Sequence, residues 1–456
     1  AIWAQAVGGP PPHPSPAPHS HPRAMGGLRG MPADRCGRAV ADPAAHRPRQ
    51  CGHGHAVEAA GRVARCLSIS LAAVATLLAC CLLRWSATTF LERRTWQTRL
   101  HTPAELQRQF PLPQRMRHFI DANRAEVAAI LEGTDDRLLA VVGPCSIHDP
   151  EAAREYAARL QEVAQARRRE LLILMRAYLE KPRTSVGWRG LVSDPDLSGG
   201  EDLERGVALG RRVLLDVNAA GLPAAVEFLD PLAAPYLEDL VTYGSIGART
   251  VESPTHRALA AGLPMPIGFK NARSGDVQSA VNAAIAAAAP QRRLSVNVAG
   301  RLRAVEAAGN AGGHVVLRGG ESGPNYDETS VAEAADEMER AGFTGRRVVV
   351  DCSHGNSGKQ HEGQIEACEA VAEQVASGSV VIAGVMIESF FEAGNQPLEP
   401  GVTQLSELRH GLSVTDACLD FASTEALLTV LAKAVEARRT VDTGWHEAAG
   451  TSRESR

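Results

Sequence analysis

RVVVDC at 347–352, followed at once by Ser353 and His354, is a short apolar run that ends in a metal-binding side chain. Seven other stretches share this form: LLAVV at 138–142, LLILM at 171–175, AAVEF at 224–228, SIGART at 245–250, MPIGF at 265–269, HVVL at 314–317 and VVIAGVMI at 380–387. In or just after the eight runs, in chain order, come Cys145, Arg176, Glu227, Arg249, Lys270, Arg318, His354 and Glu388. Most of the intervening segments carry helical periodicity, as in PEAAREYAARLQEVAQARR after the first run and TSVAEAADEMERAG after the sixth. Short buried strands alternating with amphipathic helices predict a parallel sheet. Eight such units predict a closed (β/α)₈ TIM barrel, whose active site lies at the C-terminal ends of its strands.

Working outward, LHTPAELQRQFPLPQRMRHFIDANRAEVAAILEG ahead of the first strand reads as an N-terminal helical extension. Residues 291–312 read as a hairpin inserted between strands five and six, and SVTDACLDFASTEALLTVLAKAVEARR as a closing helix after strand eight. The expected organisation is an extension over 1–95, mostly disordered, a helical segment over 96–135, the catalytic barrel over 136–440 and a disordered tail over 441–456. Residues 1–95 are Pro- and His-rich at their start and cannot build a core there. CLSISLAAVATLLACCLL at 66–83 carries no charge. It reads as a membrane anchor, an extra buried helix or a translated upstream stretch foreign to the working protein. Cys51, His53 and His55 form a chance grouping in a polar segment.

The chain has 44 Arg and only four Lys, at 181, 270, 359 and 433. Where Arg is so favoured, a surviving Lys points to a site needing a compact ammonium. Lys181 and Lys270 fall in the strand-end set or its loops, Lys359 in the loop after strand seven, and Lys433 on a surface helix. A net charge of −4, without any basic block, argues against nucleic-acid binding. The nine cysteines show no disulfide framework, which suits a reducing cytoplasm.

Cys145, His354, Glu388 and Asp416, the last expected at the start of the closing helix, offer a thiolate, an imidazole and two carboxylates. That mixed donor set suits Mn²⁺, Fe²⁺, Co²⁺ or Zn²⁺ and leaves a position for a substrate oxygen. Cys352 and Cys418, two residues from proposed ligands, read as structural. Arg176, Arg249, Lys270 and Arg318 converge from four strands and suit a small anion bearing carboxylate and phosphate. In the loop KPRTSVGWRG, Lys181, Arg183, Thr184 and Ser185 read as a second phosphate clamp, with Arg189 facing solvent. Two anion sites beside one metal imply two phosphorylated substrates being joined, or one doubly phosphorylated substrate being cleaved. A Schiff-base aldolase built on Lys270, and a non-catalytic membrane-tethered anion- or metal-binding protein, remain alternatives.

GPCSIHDP, MRAYLEKPRTSVGWRGL, EFLDP, IGARTVESPTHR, GFKN, LRGG, DCSHGNSGKQ, GVMIES and GNQP occur in this order between residues 98 and 438. On these motifs the chain resembles the type I 3-deoxy-D-arabino-heptulosonate-7-phosphate (DAHP) synthases. Their relatives, the 3-deoxy-octulosonate-8-phosphate synthases, carry a different loop in place of KPRT. The resemblance implies condensation of phosphoenolpyruvate with erythrose 4-phosphate, opening the shikimate pathway to aromatic amino acids. It places Cys145, His354, Glu388 and Asp416 at the metal, Arg176, Lys181, Arg249, Lys270 and Arg318 on phosphoenolpyruvate, and Arg183 and Thr184 on the aldose phosphate. Lys181 is then expected to protonate the new alkoxide and Glu227 to position water. Ser185 stands where many relatives have a second Thr. The resemblance also implies a homodimer or homotetramer, and a feedback aromatic amino acid bound near 100–130 and 291–312. The residues here do not resolve which amino acid.

Overall fold

The computed structural model describes residues 74–80, 98–184, 186–343 and 347–441. The chain divides into two units, Ala1–Trp96 and Gln97–Arg456. In the first, 74–80 is helical, with Val74, Leu77 and Leu78 exposed. The rest of the 66–83 run, and Cys51, His53 and His55, lie outside the described residues. Among the described residues, no helix is long and apolar enough to cross a membrane.

Among its described residues, the second unit is built on ten strands: β1 Leu138–Gly143, β2 Leu171–Arg176, β3 Ala224–Glu227, β4 Tyr243–Ile246, β5 Ile267–Lys270, β6 Gln291–Val296, β7 Leu302–Ala307, β8 Gly313–Leu317, β9 Val348–Asp351 and β10 Ile382–Glu388. Eight of them close into a barrel in the order β1-β10-β9-β8-β5-β4-β3-β2, and β6 pairs only with β7 as the inserted antiparallel hairpin. All barrel ladders are parallel. The chain therefore forms the expected TIM barrel, with one boundary corrected. The fourth strand stops at Ile246, so Arg249 stands in the turn beyond it.

Strand periodicity decides where the chemistry goes. Side chains alternate between two faces, and here both faces are buried. Leu139, Val141, Leu172, Leu174, Ala225, Val316 and Val349 pack together inside the barrel, and Val127, Ile130 and Leu131 of the helix Gln114–Glu132 join that cluster. Leu138, Ala140, Val142, Ile173, Val226, Ile267, Phe269, Val348 and Val350 face the other way and belong to the larger core that includes the surrounding helices. Continuing the inward phase to the end of each strand reaches Arg176, Glu227, Lys270 and Asp351, and one residue past β8 reaches Arg318. In β10 the register against β9 shifts between Ile382 and Gly384. This irregularity moves the inward phase from Ala383 to Met386, and so turns Glu388 inward.

Asp149, with Pro150 after it, caps the helix that follows β1, and Asp420 caps the closing helix Phe421–Thr440. Asp416 therefore lies in the loop before the closing helix rather than at its start. Its carboxylate is not used as a cap.

Candidate active site at the barrel mouth

The C-terminal ends of the strands surround a cleft of about 650 Å³. Arg176, Lys181, Arg183, Glu227, Arg249, Lys270, Arg318, His354, Glu388 and Asp416 all line it. Of the residues expected there, Ser185 lies outside the described set. Thr184 approaches through Arg249, whose Nε donates to Thr184 Oγ1 at 3.4 Å.

Cys145, Glu388 and Asp416 offer ligand atoms that all lie within 4.8 Å of one another. Cys145 Sγ is 3.6 Å from Asp416 Oδ2, and His354 Nε2 is 3.7 Å from Glu388 Oε1. A thiol, two carboxylates and an imidazole so gathered are a chemically coherent set for a divalent ion of borderline softness, and they fit one. Burial pushes the Cys145 thiol up to about 11, and the Glu388 carboxylate adds to this, while Lys181 pulls the other way. A cation at this point relieves the mutual repulsion. Lys181 Nζ is 3.0 Å from Cys145 Sγ and 3.2 Å from Cys145 O. Burial alone would lower its pKa, but Cys145, Glu388 and Asp416 together hold it above the ordinary lysine value.

Arg176 differs from a simple anion clamp. Its Nη2 donates to Glu388 Oε1 at 2.8 Å and its Nε to Pro144 O at 3.2 Å, while the guanidinium lies 3.6 Å over the Tyr178 ring. Nη1 is buried with no hydrogen-bond partner among the described residues. A buried guanidinium with one unused donor is what an anion in the cleft would complete. Arg318 Nη1 donates to Gly319 O, and burial lowers its pKa against the pull of Asp351. Lys270, 2% exposed, sits 3.0 Å from Asp351 Oδ2 and 3.9 Å from Glu227 Oε2.

Two residues at the site are not among those the sequence analysis singles out. Asp351, fully buried, lies inside the run RVVVDC, and the inward phase set by Val349 was the signal that reveals it. Gln364 clamps the backbone of Glu388 from both sides: Glu388 N donates to Gln364 Oε1 at 2.8 Å, and Gln364 Nε2 donates to Glu388 O at 3.0 Å. No spacing rule announces that clamp. Cys418 and Cys352 are buried, and Cys418 Sγ accepts from Cys145 N at 3.4 Å. Arg189 faces solvent and pairs with Glu201, Lys433 is exposed, and Lys359 stands exposed on the cleft rim.

Convergent cations beside a thiol–carboxylate–imidazole set, at the C-terminal mouth of a (β/α)₈ barrel, define a class: barrel enzymes that handle phosphorylated anions next to a divalent metal. The DAHP synthetase I family matches residues 111–429. The Trp-sensitive phospho-2-dehydro-3-deoxyheptonate aldolase of Enterobacter agglomerans is 47% identical over 339 residues, covering 74% of this chain and 96% of the relative. The Phe-sensitive enzyme of Escherichia coli K12 is 46% identical over 337 residues, covering 74% of this chain and 95% of the relative. A solved phospho-2-dehydro-3-deoxyheptonate aldolase from Francisella tularensis SCHU S4 superposes with a TM-score of 0.73 at 44% identity, covering 76% of this chain and 99% of that one. The chain belongs to the DAHP synthetase I family. It is accordingly an enzyme, a metal-dependent synthase of the transferase class in aromatic amino acid biosynthesis.

Proposed function

We propose that this chain condenses phosphoenolpyruvate with D-erythrose 4-phosphate and water to give DAHP and inorganic phosphate, and that the cleft residues divide the work as follows. The observation that carries the reading is the single mouth that holds Arg176, Arg249, Lys270 and Arg318 beside Cys145, His354, Glu388 and Asp416, with Arg183 and Thr184 next to Arg249. Four cations, Arg176 and Lys270 at strand ends and Arg249 and Arg318 just beyond β4 and β8, match one small anion with carboxylate and phosphate groups, here phosphoenolpyruvate. Arg183 and Thr184 would form the second clamp, for the aldose phosphate, with Ser185 assigned to it on its sequence position alone.

Cys145, His354, Glu388 and Asp416 would hold one divalent ion, for which Mn²⁺, Fe²⁺, Co²⁺ and Zn²⁺ are all suited. When bound, that ion supplies Lewis acidity to the aldehyde oxygen. C3 of phosphoenolpyruvate then forms the new bond to the aldehyde carbon, and C2 becomes cationic. Lys181, whose ammonium Cys145, Glu388 and Asp416 stabilise, delivers a proton to the new alkoxide. Glu227, at the inward end of β3 and facing Lys270, positions the water that adds to C2. Water gives up two protons, one replacing that lost by Lys181; the C2–O bond to phosphate of the hemiketal then breaks, leaving the C2 ketone and an inorganic phosphate that carries the other proton. Arg176 and Arg318 hold phosphoenolpyruvate beside the aldose phosphate on Arg183 and Thr184, so much of the rate comes from proximity.

An aromatic amino acid would regulate the enzyme at the junction of 100–130 with the β6–β7 hairpin. Ala104 N donates to Val298 O at 2.8 Å there, which ties the two segments together. The enzyme would work in the cytoplasm as a homodimer or homotetramer, with 136–440 as its catalytic domain.

The test strips the protein with EDTA, restores Mn²⁺ and follows phosphate release from phosphoenolpyruvate. Release that needs both the ion and erythrose 4-phosphate supports the condensation. Equal or better turnover with arabinose 5-phosphate would assign the chain to octulosonate chemistry. Chelator-insensitive turnover trapped by borohydride would assign it to Lys270 Schiff-base chemistry.

A further inference from the structure

Asp351 occupies a position that neither the anion clamp nor the donor set accounts for by itself. Its carboxylate is fully buried at the inward end of β9, and two cation-forming side chains converge on a single oxygen. Lys270 Nζ and His354 Nδ1 each lie 3.0 Å from Oδ2. Both are close enough for an ion pair, yet neither is aligned for a hydrogen bond, and Oδ2 has no hydrogen-bond partner among the described residues. The other oxygen is fully engaged: Ser353 N donates to Oδ1 at 3.1 Å and Ser353 Oγ at 2.5 Å.

This arrangement sets the imidazole. An ionised carboxylate only accepts, so the Ser353 hydroxyl donates to Asp351. Ser353 Oγ, 2.7 Å from His354 Nδ1, is then left to accept from an Nδ1–H. The proton therefore sits on Nδ1, and the lone pair of Nε2 faces Glu388 and the donor set. His354 holds this pose with a backbone φ of +61°, a region that residues with side chains seldom adopt, so the loop is built around it. Asn356 fastens the same loop, donating to Asp351 O at 2.9 Å and Leu317 O at 3.1 Å.

One oxygen facing two competing partners is a coupling device. Lys270 belongs to the anion side of the cleft, and His354 to the metal side. We infer that Asp351 is a positioning residue that couples the two sites, so that phosphoenolpyruvate on Lys270 tightens divalent-metal binding at His354, and the metal tightens phosphoenolpyruvate. The inference rests on the proposed function for the identity of the anion. When an anion neutralises the Lys270 ammonium, Oδ2 is released from it and aligns with His354 Nδ1–H, which strengthens Nε2 as a donor. When a metal draws on Nε2, the Nδ1–H becomes a better donor, captures Oδ2 and frees Lys270 for substrate. Thermodynamic linkage requires the two effects to be equal in size.

The test titrates Mn²⁺ into the EDTA-stripped full chain by calorimetry, with and without saturating phosphoenolpyruvate, and forms the ratio of the two affinities. Wild type is expected to show a ratio of roughly ten or more, within the range that outer-shell partners of metal-bound histidine command. Asp351→Asn is expected to bind Mn²⁺ about 10–100-fold more weakly without phosphoenolpyruvate and to lose most of the ratio. A wild-type ratio of one, or an Asp351→Asn ratio equal to wild type, overturns the coupling whatever the turnover. If Asp351→Asn does not fold, Asp351→Ser removes the same oxygen with a smaller side chain, and a ratio equal to wild type in that variant overturns the proposal. The condensation itself stands or falls on phosphate release in wild type, so the two failures are separable.

Discussion

Lys181 Nζ stands 3.0 Å from Cys145 Sγ, placing the ammonium that would protonate the product alkoxide against the thiol that would hold the metal. Burial and Glu388 keep that thiol protonated to about pH 11, so ion uptake must expel its proton. Mn²⁺ binding in weak buffer is therefore expected to release about one proton per ion. Cys145→Ala should lose both this release and metal-dependent turnover. Near-normal activity in that variant would remove Cys145 from the ligand set.

The Arg176–Glu388 pair is almost wholly buried, at 1% and 3% side-chain exposure, and this separates its structural from its substrate role. Arg176→Leu leaves Glu388 as an uncompensated charge and is expected to cost about 3–5 kcal/mol of stability. The double variant Arg176→Leu/Glu388→Leu should be more stable than the single one, although inactive. Urea melts decide it: additive losses would show that the pair is not coupled in the fold.

Gly187 offers a way to disturb the aldose-phosphate clamp alone. A Cβ at this position would stand 2.7 Å from Arg183 Nη2 and 2.8 Å from Nε, and the backbone φ is +143°. Gly187→Ala must push the guanidinium aside. The expected result is a KM for erythrose 4-phosphate raised about tenfold or more, the loss of a charge-assisted contact, with the KM for phosphoenolpyruvate near wild type. Equal increases in both would mean that Arg183 serves both substrates.

Much of the barrel was legible because its strands are short, apolar and each followed by an ionisable residue. Arg176, Glu227 and Lys270 are both the last residue of a strand and its last inward position, so two rules agree on them. Asp351 obeys both rules as well, at the end of β9, but the apolar run there reads on past it through Cys352 toward His354. Two apolar neighbours and a cysteine disguise it, and only the alternation phase exposes it. Asp416 was found by type but misplaced, because SVTDAC and the true cap Asp420 are only a few residues apart and both look like helix starts. Glu388 depends on a register shift in β10 that no local pattern announces, since the shift exists only relative to β9. The Gln364 clamp joins a helix to a strand 24 residues later and has no sequence signature.

The barrel core also carries a titratable group that should shape stability against pH. His314 Nδ1–H donates to Gly312 O at 3.1 Å, so its Nε2, 2.9 Å from Tyr243 Oη, accepts from the phenol. That neutral tautomer is fully satisfied, and protonating Nε2 would set two donors against each other. Burial lowers its pKa from 6.5 to about 4. Burial acts likewise on His148, also to about 4. Between these values the unfolded chain binds protons that the folded barrel refuses, so stability is full above about pH 6.5 and falls as pH drops toward 4. The loss is expected to be on the order of 2–3 kcal/mol per histidine. His314→Gln keeps an acceptor for Tyr243 and removes the titration. The variant should be less stable than wild type at pH 7.5 yet lose less on acidification, which urea melts at several pH values will show. An equal acid slope in the two proteins would mean that His314 does not set it.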